Sequence, residues 1–330
     1  MFDTLIEVSV METKIQLLTK LERAVGEYLS GEELAKSLNV SRAAIWKAVE
    51  ALRADGYKID AVKNRGYKLN TQLDVINASE ILAHCNNRSL YVDVYPSLPS
   101  TNDTAKQYAL SGKGEGVIIA TEQTGGKGRL GRTFFSPDKS GIYMSFLLRP
   151  TLPAEKAISL TTMAAVAVAQ AIEEIVGIKA DIKWVNDVFV DNKKTCGILT
   201  EAAISMETGS LDYAIVGIGI NVYPPKDGFP SEISNIAGYL LQTQAIGAKN
   251  KLVARIINLF FDYYTSQNMA YVAEYRKRSF VIGKEITVIN SGSFCNATAL
   301  SVDDNCRLIV RYDSGEIATL SSGEISIRLK

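Results

Sequence analysis

Two capped helical segments behind an amphipathic one, a glycine-cation loop between strand-like runs, and a C-terminal stretch of short alternating runs predict an α+β chain. The expected order is an N-terminal winged helix-turn-helix over 1–70, a central mixed-sheet α/β domain over 71–280 and a small β-barrel over 281–330. With 330 residues, 47% of them hydrophobic and 22% charged, the chain is long enough for two or three domains with full cores.

In the first part, Ile15, Leu18, Leu21, Val25 and Leu29 recur every three or four residues, the period of an amphipathic helix. Residues 1–10 carry no clear period, and Met11 is a second candidate start for translation. Ser30 is placed to cap a short second helix, with Glu33 completing a capping box and Leu34, Ala35 and Leu38 pointing inward. Ser41 caps a third helix over 42–55, whose Ala44, Ile45, Ala48, Val49 and Leu52 have core spacing. A turn as short as Asn39-Val40 between two helices makes a helix-turn-helix. Arg42, Ala43, Trp46, Lys47 and Glu50 then face outward, where residues at a helix start reach base edges; Trp46 fits either that role or partly buried packing. Gly56 ends the helix, and 57–62, Lys63-Asn64-Arg65-Gly66 and 67–69 read as strand, turn, strand, so that Lys63 and Arg65 form a wing tip for phosphates. Seven cations against three acids between Ser41 and Asn70 favour a nucleic-acid partner over a helical protein-binding module.

Composition narrows the rest. Lys plus Arg and Asp plus Glu both number 36, so the basic cluster is local. Cys85, Cys196, Cys295 and Cys306 form no C-x-x-C pair, which argues for reduced structural thiols over zinc or disulfides. His84, the single histidine, sits near a helix end and leaves little room for histidine-based catalysis. The N-terminus lacks the basic start of a signal peptide, and the uncharged run 157–172 is too short to span a bilayer. A cytoplasmic protein without a membrane partner is expected.

In the central domain, Gly125-Gly126-Lys127-Gly128-Arg129-Leu130-Gly131-Arg132 places four glycines among three cations, the chemistry of an anion cradle or else of a solvated basic turn. It matches both a dinucleotide fingerprint and a P-loop with Arg in place of Lys, yet each needs a helix at its end. The next residues, Thr133-Phe134-Phe135-Ser136-Pro137, oppose one, so the loop belongs between strands. Ser100-Thr101-Asn102 opens a helix and serves as a cap or as a polar ligand site. Lys183 lies in the strand-like run 181–190, either stabilising developing negative charge or paired with Asp181 or Asp187. Runs 116–121, 141–148, 195–201 and 213–221 read as buried strands, and 154–176, 251–266 and 269–278 as helices. Beyond Gly283, runs 285–290, 296–302, 307–312, 316–321 and 324–329 alternate like strands.

These motifs together resemble the bifunctional biotin-protein ligases that are also biotin operon repressors: Ser100-Thr101-Asn102, Gln123 with the glycine-cation loop and Phe135-Ser136-Pro137, Lys183-Trp184-Val185-Asn186-Asp187, Gly217-Ile218-Gly219-Ile220-Asn221, Gly323-Glu324-Ile325-Ser326-Ile327-Arg328 and Ser41-Arg42-Ala43-Ala44-Ile45. The resemblance covers the chain from about Met11 onward. It implies an SH3-like form for the C-terminal barrel and the joining of biotin to ATP, with Mg2+, to give biotinyl-5′-AMP. Transfer to a lysine of a carboxylase biotin carrier subunit (biotin carboxyl carrier protein) follows. It also implies operator DNA as a partner and a homodimer formed when biotinyl-5′-AMP binds.

By the same resemblance Ser100, Thr101, Asn102, Gln123, Lys127, Gly128, Arg129 and Lys183 would hold biotin, with Lys183 and Arg129 catalytic, and Arg132, Phe134, Asn221 and Arg328 would hold ATP or the adenylate. Ser41, Arg42, Ala43, Trp46, Lys47, Lys63 and Arg65 would meet DNA, and no magnesium ligand is assigned. Three positions depart from the family pattern: Lys127 stands for Arg, Phe134 for Trp, and Val185 for Pro. Lysine keeps the charge and loses a bidentate fork, and phenylalanine offers a smaller stacking face.

Overall fold

In the computed structural model, which describes residues 2–24, 26–54, 56–70, 74–87, 89–150, 152–153, 157–204, 209–266, 269–290, 293–321 and 324–327, helix α1 runs Phe2–Arg23. It therefore starts earlier than the apolar period suggests: 2–10 hold no Gly or Pro, and a helix nucleated by the packed segment propagates through them. It also stops short of Leu29, and Gly26 lies just beyond its end at φ +84°. The chain divides into two compact units, 1–84 with 243–251, and 85–242 with 252–330.

In the first unit, α2 (Gly31–Leu38) and α3 (Arg42–Ala54) follow α1. Ser30 Oγ accepts from Glu32 N at 3.2 Å and Ser41 Oγ from Ala44 N at 3.1 Å. Both serines cap, because each helix start leaves backbone donors unpaired, but Ser30 bonds the N–H of Glu32 and not that of Glu33, which a capping box would require. Asn39 at φ 53° turns the chain between them. Leu17, Leu18 and Leu21 of α1 bury against Leu34, Ile45, Val49, Leu52, Tyr57, Ile59 and Leu69. Strands β1 (Ile59–Val62) and β2 (Gly66–Leu69) pair antiparallel and form the wing.

Helix α4 (Ala78–His84) completes this unit with a buried polar cluster. Asn250 Nδ2 and Tyr57 OH donate to Glu80 Oε2 at 2.7 and 3.2 Å, Asn77 N donates to Asn250 Oδ1 at 2.9 Å, and Lys249 N donates to Asp74 Oδ2 at 3.0 Å. Glu22 faces Glu80, Asp74 and Lys251, and burial, reinforced by the two carboxylates and opposed by Lys251, pushes it up to about 7. Its Oε1 is buried and accepts no hydrogen bond. A carboxyl raised this way from an ordinary 4.5 binds its proton more tightly folded than unfolded. Its contribution is complete below the unfolded value and is lost as pH rises through about 7. Glu22→Gln is therefore expected to stabilise the protein by about 1 kcal/mol at pH 8, after discounting for solvent screening, and to be near neutral at pH 4. Urea midpoints across that range would show the slope flatten, and an unchanged slope would exclude Glu22 as its source.

The second unit is built on a seven-stranded sheet in the order β3-β4-β5-β9-β8-β7-β6, comprising β3 (Tyr91–Tyr95), β4 (Gly116–Ala120), β5 (Gly141–Leu148), β6 (Asp181–Lys183), β7 (Asp187–Val190), β8 (Lys193–Ile204) and β9 (Leu211–Asn221). Only the β3–β4 pair is parallel, so the sheet is mixed as expected. β4 and β5 are buried at every position, the pattern of strands covered on both faces. Helix α5 (Thr101–Leu110) packs Ala105 and Ala109 against Tyr213 and Ile215 of β9. Helix α6 (Ala157–Val176) meets the alternate face, where Thr161 bonds Thr200 at 2.7 Å. By length and composition α6 is able to cross a membrane, but most of it is buried in the domain.

Helices α7 (Ala248–Ser266, from 252 onward in this unit) and α8 (Ala270–Arg278) follow. The C-terminal strands β10 (Glu285–Asn290), β11 (Ser293–Val302), β12 (Leu308–Tyr312), β13 (Ile317–Leu320) and β14 (Glu324–Ile327) form an antiparallel sheet in the order β13-β12-β11-β10-β14. Trp184, in the β6–β7 turn, donates its indole N–H to Cys306 O at 3.0 Å, and Tyr275 OH donates to Val185 O at 3.1 Å. These bonds tie the Lys183-to-Asp187 hairpin to the β11–β12 connection and to α8. The Trp184–Val185 peptide bond is cis.

Candidate active site

The floor of the site is a patch of sheet without β-carbons. Gly197 on β8 lies opposite Gly219 on β9, and Leu199 lies opposite Gly217. A Cβ at Gly217 would stand 2.2 Å from Asn102 Oδ1, and one at Gly219 would stand 2.4 Å from the Phe134 ring. The glycines let the helix α5 start and the loop settle directly on the backbone. A cavity of about 270 Å³ opens above them.

Ser100 caps α5, accepting from Asp103 N at 3.4 Å, while Thr101 and Asn102 are buried and line the cavity beside it. The motif is thus both cap and cavity wall. Thr101 N and Oγ1 donate to Gln123 Oε1 at 2.8 and 3.1 Å, and Gln123 Nε2 donates to Ser136 Oγ at 3.1 Å. One amide therefore joins the helix start to both ends of the glycine-cation loop. Ser145 donates to Asn102 Oδ1 at 2.6 Å and lies 2.8 Å from Thr101 Oγ1, and Asn102 Nδ2 donates to Glu201 Oε2 at 2.6 Å. Both α5 side chains are fixed in orientation.

The loop closes on itself like a hairpin, with Phe134 N donating to Gly126 O at 2.9 Å and Gly128 N to Arg132 O at 2.7 Å. Only a single 3-10 turn, Arg129–Gly131, forms within it, as the strand-rich flank predicts. Leu130 takes φ 56° and leaves its side chain 77% exposed. Lys127 Nζ lies 2.5 Å from Asp103 Oδ1, and that bond holds the lysine above its ordinary value. Arg129 Nη1 donates to Asn186 Oδ1 at 2.9 Å, and Asn186 Nδ2 to Ile198 O at 2.9 Å, which ties the loop to the β6–β7 hairpin.

Ser100, Thr101, Asn102, Gln123, Lys127, Gly128, Arg129, Arg132, Phe134 and Asn221 are thus brought to one cavity. Lys183 is half-buried at the end of β6, outside the lining set. Of the two acids considered as its partners, Asp181 lies 2.8 Å from Lys179 and Asp187 lies 2.7 Å from Lys194. Arg328 lies outside the described residues. Sequence reasoning missed five contributors. Ser145 is a hydroxyl inside an apolar strand, a signal that was readable. Lys194 falls between the strand-like runs 181–190 and 195–201. Phe229, Ile233 and Ile236 line the cavity from a segment with no period to read.

In the first unit, Ser41, Arg42, Ala43, Trp46 and Lys47 are exposed, Trp46 to 55%. That decides for Trp46 between outward display and packing. At the wing, Lys63 is exposed, and the Arg65 guanidinium lies 4.2 Å over the Tyr28 ring, which orients it by cation–π attraction.

The structure thus holds an α/β domain with a polar, cation-lined cavity and a winged helix-turn-helix, and comparison with known proteins makes the class particular. Residues 94–221 match the Biotin/lipoate A/B protein ligase family, 13–68 an HTH domain and 281–328 the Biotin protein ligase C terminal domain. The Bifunctional ligase/repressor BirA of Bacillus subtilis (strain 168) is 34% identical over 94% of this chain and 97% of its own, and that of Escherichia coli (strain K12) is 30% identical over 92% and 94%. A solved biotin protein ligase from Aquifex aeolicus, in complex with biotin and ATP, superposes with a TM-score of 0.60 at 26% identity over 72% of this chain and 99% of that one. The chain belongs to the biotin protein ligase family, with the bifunctional ligase/repressors.

The Gly126 position tests the loop's seat. A Cβ there would stand 2.4 Å from Phe134 O and 2.6 Å from Ser136 Oγ. Gly126→Ala is expected to cost about 1–3 kcal/mol in urea denaturation. Gly114→Ala, with nothing within 4 Å of its Cβ, should stay within about 0.5 kcal/mol of wild type.

Proposed function

We propose that this protein activates biotin with ATP, transfers it to a lysine of a carboxylase biotin carrier subunit, and represses biotin genes through its winged domain with biotinyl-5′-AMP as corepressor. Three divisions carry these tasks: 1–70 binds DNA, 71–280 catalyses, and 281–330 is the C-terminal β domain. The observation that carries the enzymatic reading is the cavity itself, where a fixed Thr101-Asn102-Gln123 polar end meets a loop bearing Lys127, Arg129 and Arg132.

In the first step a biotin carboxylate oxygen attacks the α-phosphorus of ATP, and the bond to the departing pyrophosphate breaks. Two anions must meet, so the site neutralises both and holds them in line. Thr101, Asn102 and Gln123 grip the polar part of biotin, while Lys127, Gly128 and Arg129 approach from the loop. Lys183 and Arg129 hold the carboxylate and the bridging phosphate oxygens. Arg132 meets the triphosphate, and Phe134, Asn221 and Arg328 meet the adenylate. Phe134, lying against Gly219, is positioned for a base to stack on it. Magnesium enters with ATP as the nucleotide complex. In the second step the acceptor lysine amine attacks the biotinyl carbonyl and AMP departs. The loop covers the mixed anhydride and excludes water.

The ligase acts in the cytoplasm and forms a homodimer when biotinyl-5′-AMP binds, so that two winged domains read a palindrome. Ser41, Arg42, Ala43, Trp46 and Lys47 face the major groove, and Lys63 and Arg65 face phosphates.

Biotin-dependent exchange of pyrophosphate into ATP is expected, and Lys183→Ala should lower it at least about a hundredfold. Exchange undiminished in that variant would remove Lys183 from the chemistry. In mobility shifts, biotin plus ATP should tighten operator binding. Arg42→Ala should weaken it by about tenfold or more with loss of sequence preference, while Lys63→Ala should lower the salt slope by about one. Operator affinity indifferent to biotin and ATP would refute the corepressor role.

A further inference from the structure

Four cations line the cavity, and three of them, Lys127, Arg129 and Arg132, ride on the loop. Lys194 is the fourth, and it is held differently. It sits in β8, where its N–H donates to Ile236 O at 2.8 Å and its carbonyl accepts from Gly238 N at 2.9 Å. Its side chain is 31% exposed and reaches over Gly197: a Cβ at that glycine would stand 3.3 Å from Lys194 Cε and 3.1 Å from the Phe134 ring. Glycine at 197 thus lets the Phe134 ring and the Lys194 side chain close together over the backbone, an aromatic group and an ammonium side by side in the cavity wall. An aromatic base joined to a phosphate chain is complementary to that pair of groups.

The ammonium is 2.7 Å from Asp187 Oδ1, yet that buried oxygen accepts no well-directed hydrogen bond. The contact is one of charge without good alignment. A carboxylate offers the ammonium one negative charge, whereas a nucleoside triphosphate offers several, with oxygens free to align. Nucleotide binding is therefore able to draw the lysine away from Asp187 without leaving a bare charge in the cavity.

We infer that Lys194 is a strand-borne ligand of the ATP phosphates, parked on Asp187 until the nucleotide arrives. The inference rests on the ligase reading above and adds a residue to it. The loop cations move with the loop, but Lys194 is fixed to the sheet and marks the phosphate position before closure. Its loss should therefore act on ATP and spare biotin.

Full-length wild type, Lys194→Gln, Lys194→Arg and Asp187→Asn would be compared by calorimetric titration with ATP and with biotin, by pyrophosphate exchange and by melting temperature. Lys194→Gln should raise the Kd and KM for ATP at least about tenfold, the value of one charge-assisted hydrogen bond, with biotin affinity within about twofold of wild type. Lys194→Arg should recover part of the ATP affinity, and Asp187→Asn should keep it. Wild-type-like ATP affinity in Lys194→Gln would overturn the inference. So would equal losses of ATP affinity and melting temperature in Lys194→Gln and Asp187→Asn, which would make the pair a structural one. Absence of biotin-dependent exchange in wild type would instead sink the ligase reading itself.

Discussion

The site depends on a steric constraint: two adjacent strands must present backbone, not side chains, to the cavity. Gly197 and Gly219 face each other across the β8–β9 ladder, with Gly217 two residues further along. Asn102 rests on one of these glycines and Phe134 on another. A sheet surface normally carries a side chain at every second position, and any methyl group here would lift the α5 start or the loop off the floor. The polar network then follows from the close approach. Once Asn102 and Thr101 lie on the sheet, Ser145 and Gln123 are within hydrogen-bond reach, and Gln123 carries the order on to Ser136 and the loop.

Charge is arranged in two layers around that floor. Among the loop cations, Lys127 pairs with half-exposed Asp103 and Arg129 bonds the neutral amide of Asn186. Such contacts orient a loop without locking it, since exposed pairs contribute little. Lysine at 127, where the family pattern has arginine, still finds an acid to hold it, so the loop keeps an anchor despite losing the bidentate fork. Lys194 belongs instead to a strand of the cavity wall, whose geometry does not change when a loop moves. A site that must bring two anions together gains from having part of its positive charge preorganised in this way.

The first unit follows a different logic. Its helices are defined by caps and an apolar core, leaving the outer face of α3 unpacked. An indole exposed to 55% has no packing reason to be there, which accords with a surface kept for a partner. Burial of Glu22, reinforced by the neighbouring carboxylates of Glu80 and Asp74, pushes it up to about 7 and makes the stability of this unit depend on pH there.

The sequence by itself determined the local features: the Ser30 and Ser41 caps, the wing, the glycine-cation loop between strands and the five C-terminal strands, because each is set by neighbours within a few residues. It also carried enough of the motif set to point to the family. Only the tertiary structure decided what those pieces touch. That Ser100 caps while its two neighbours line a cavity, that Trp184 bonds a carbonyl more than a hundred residues away, and that Lys194 stands beside Phe134 are long-range facts. Periodicity gives the face on which a side chain lies but not the partner across it. Lys183 shows the same limit: its strand was readable, but its place outside the cavity lining was not.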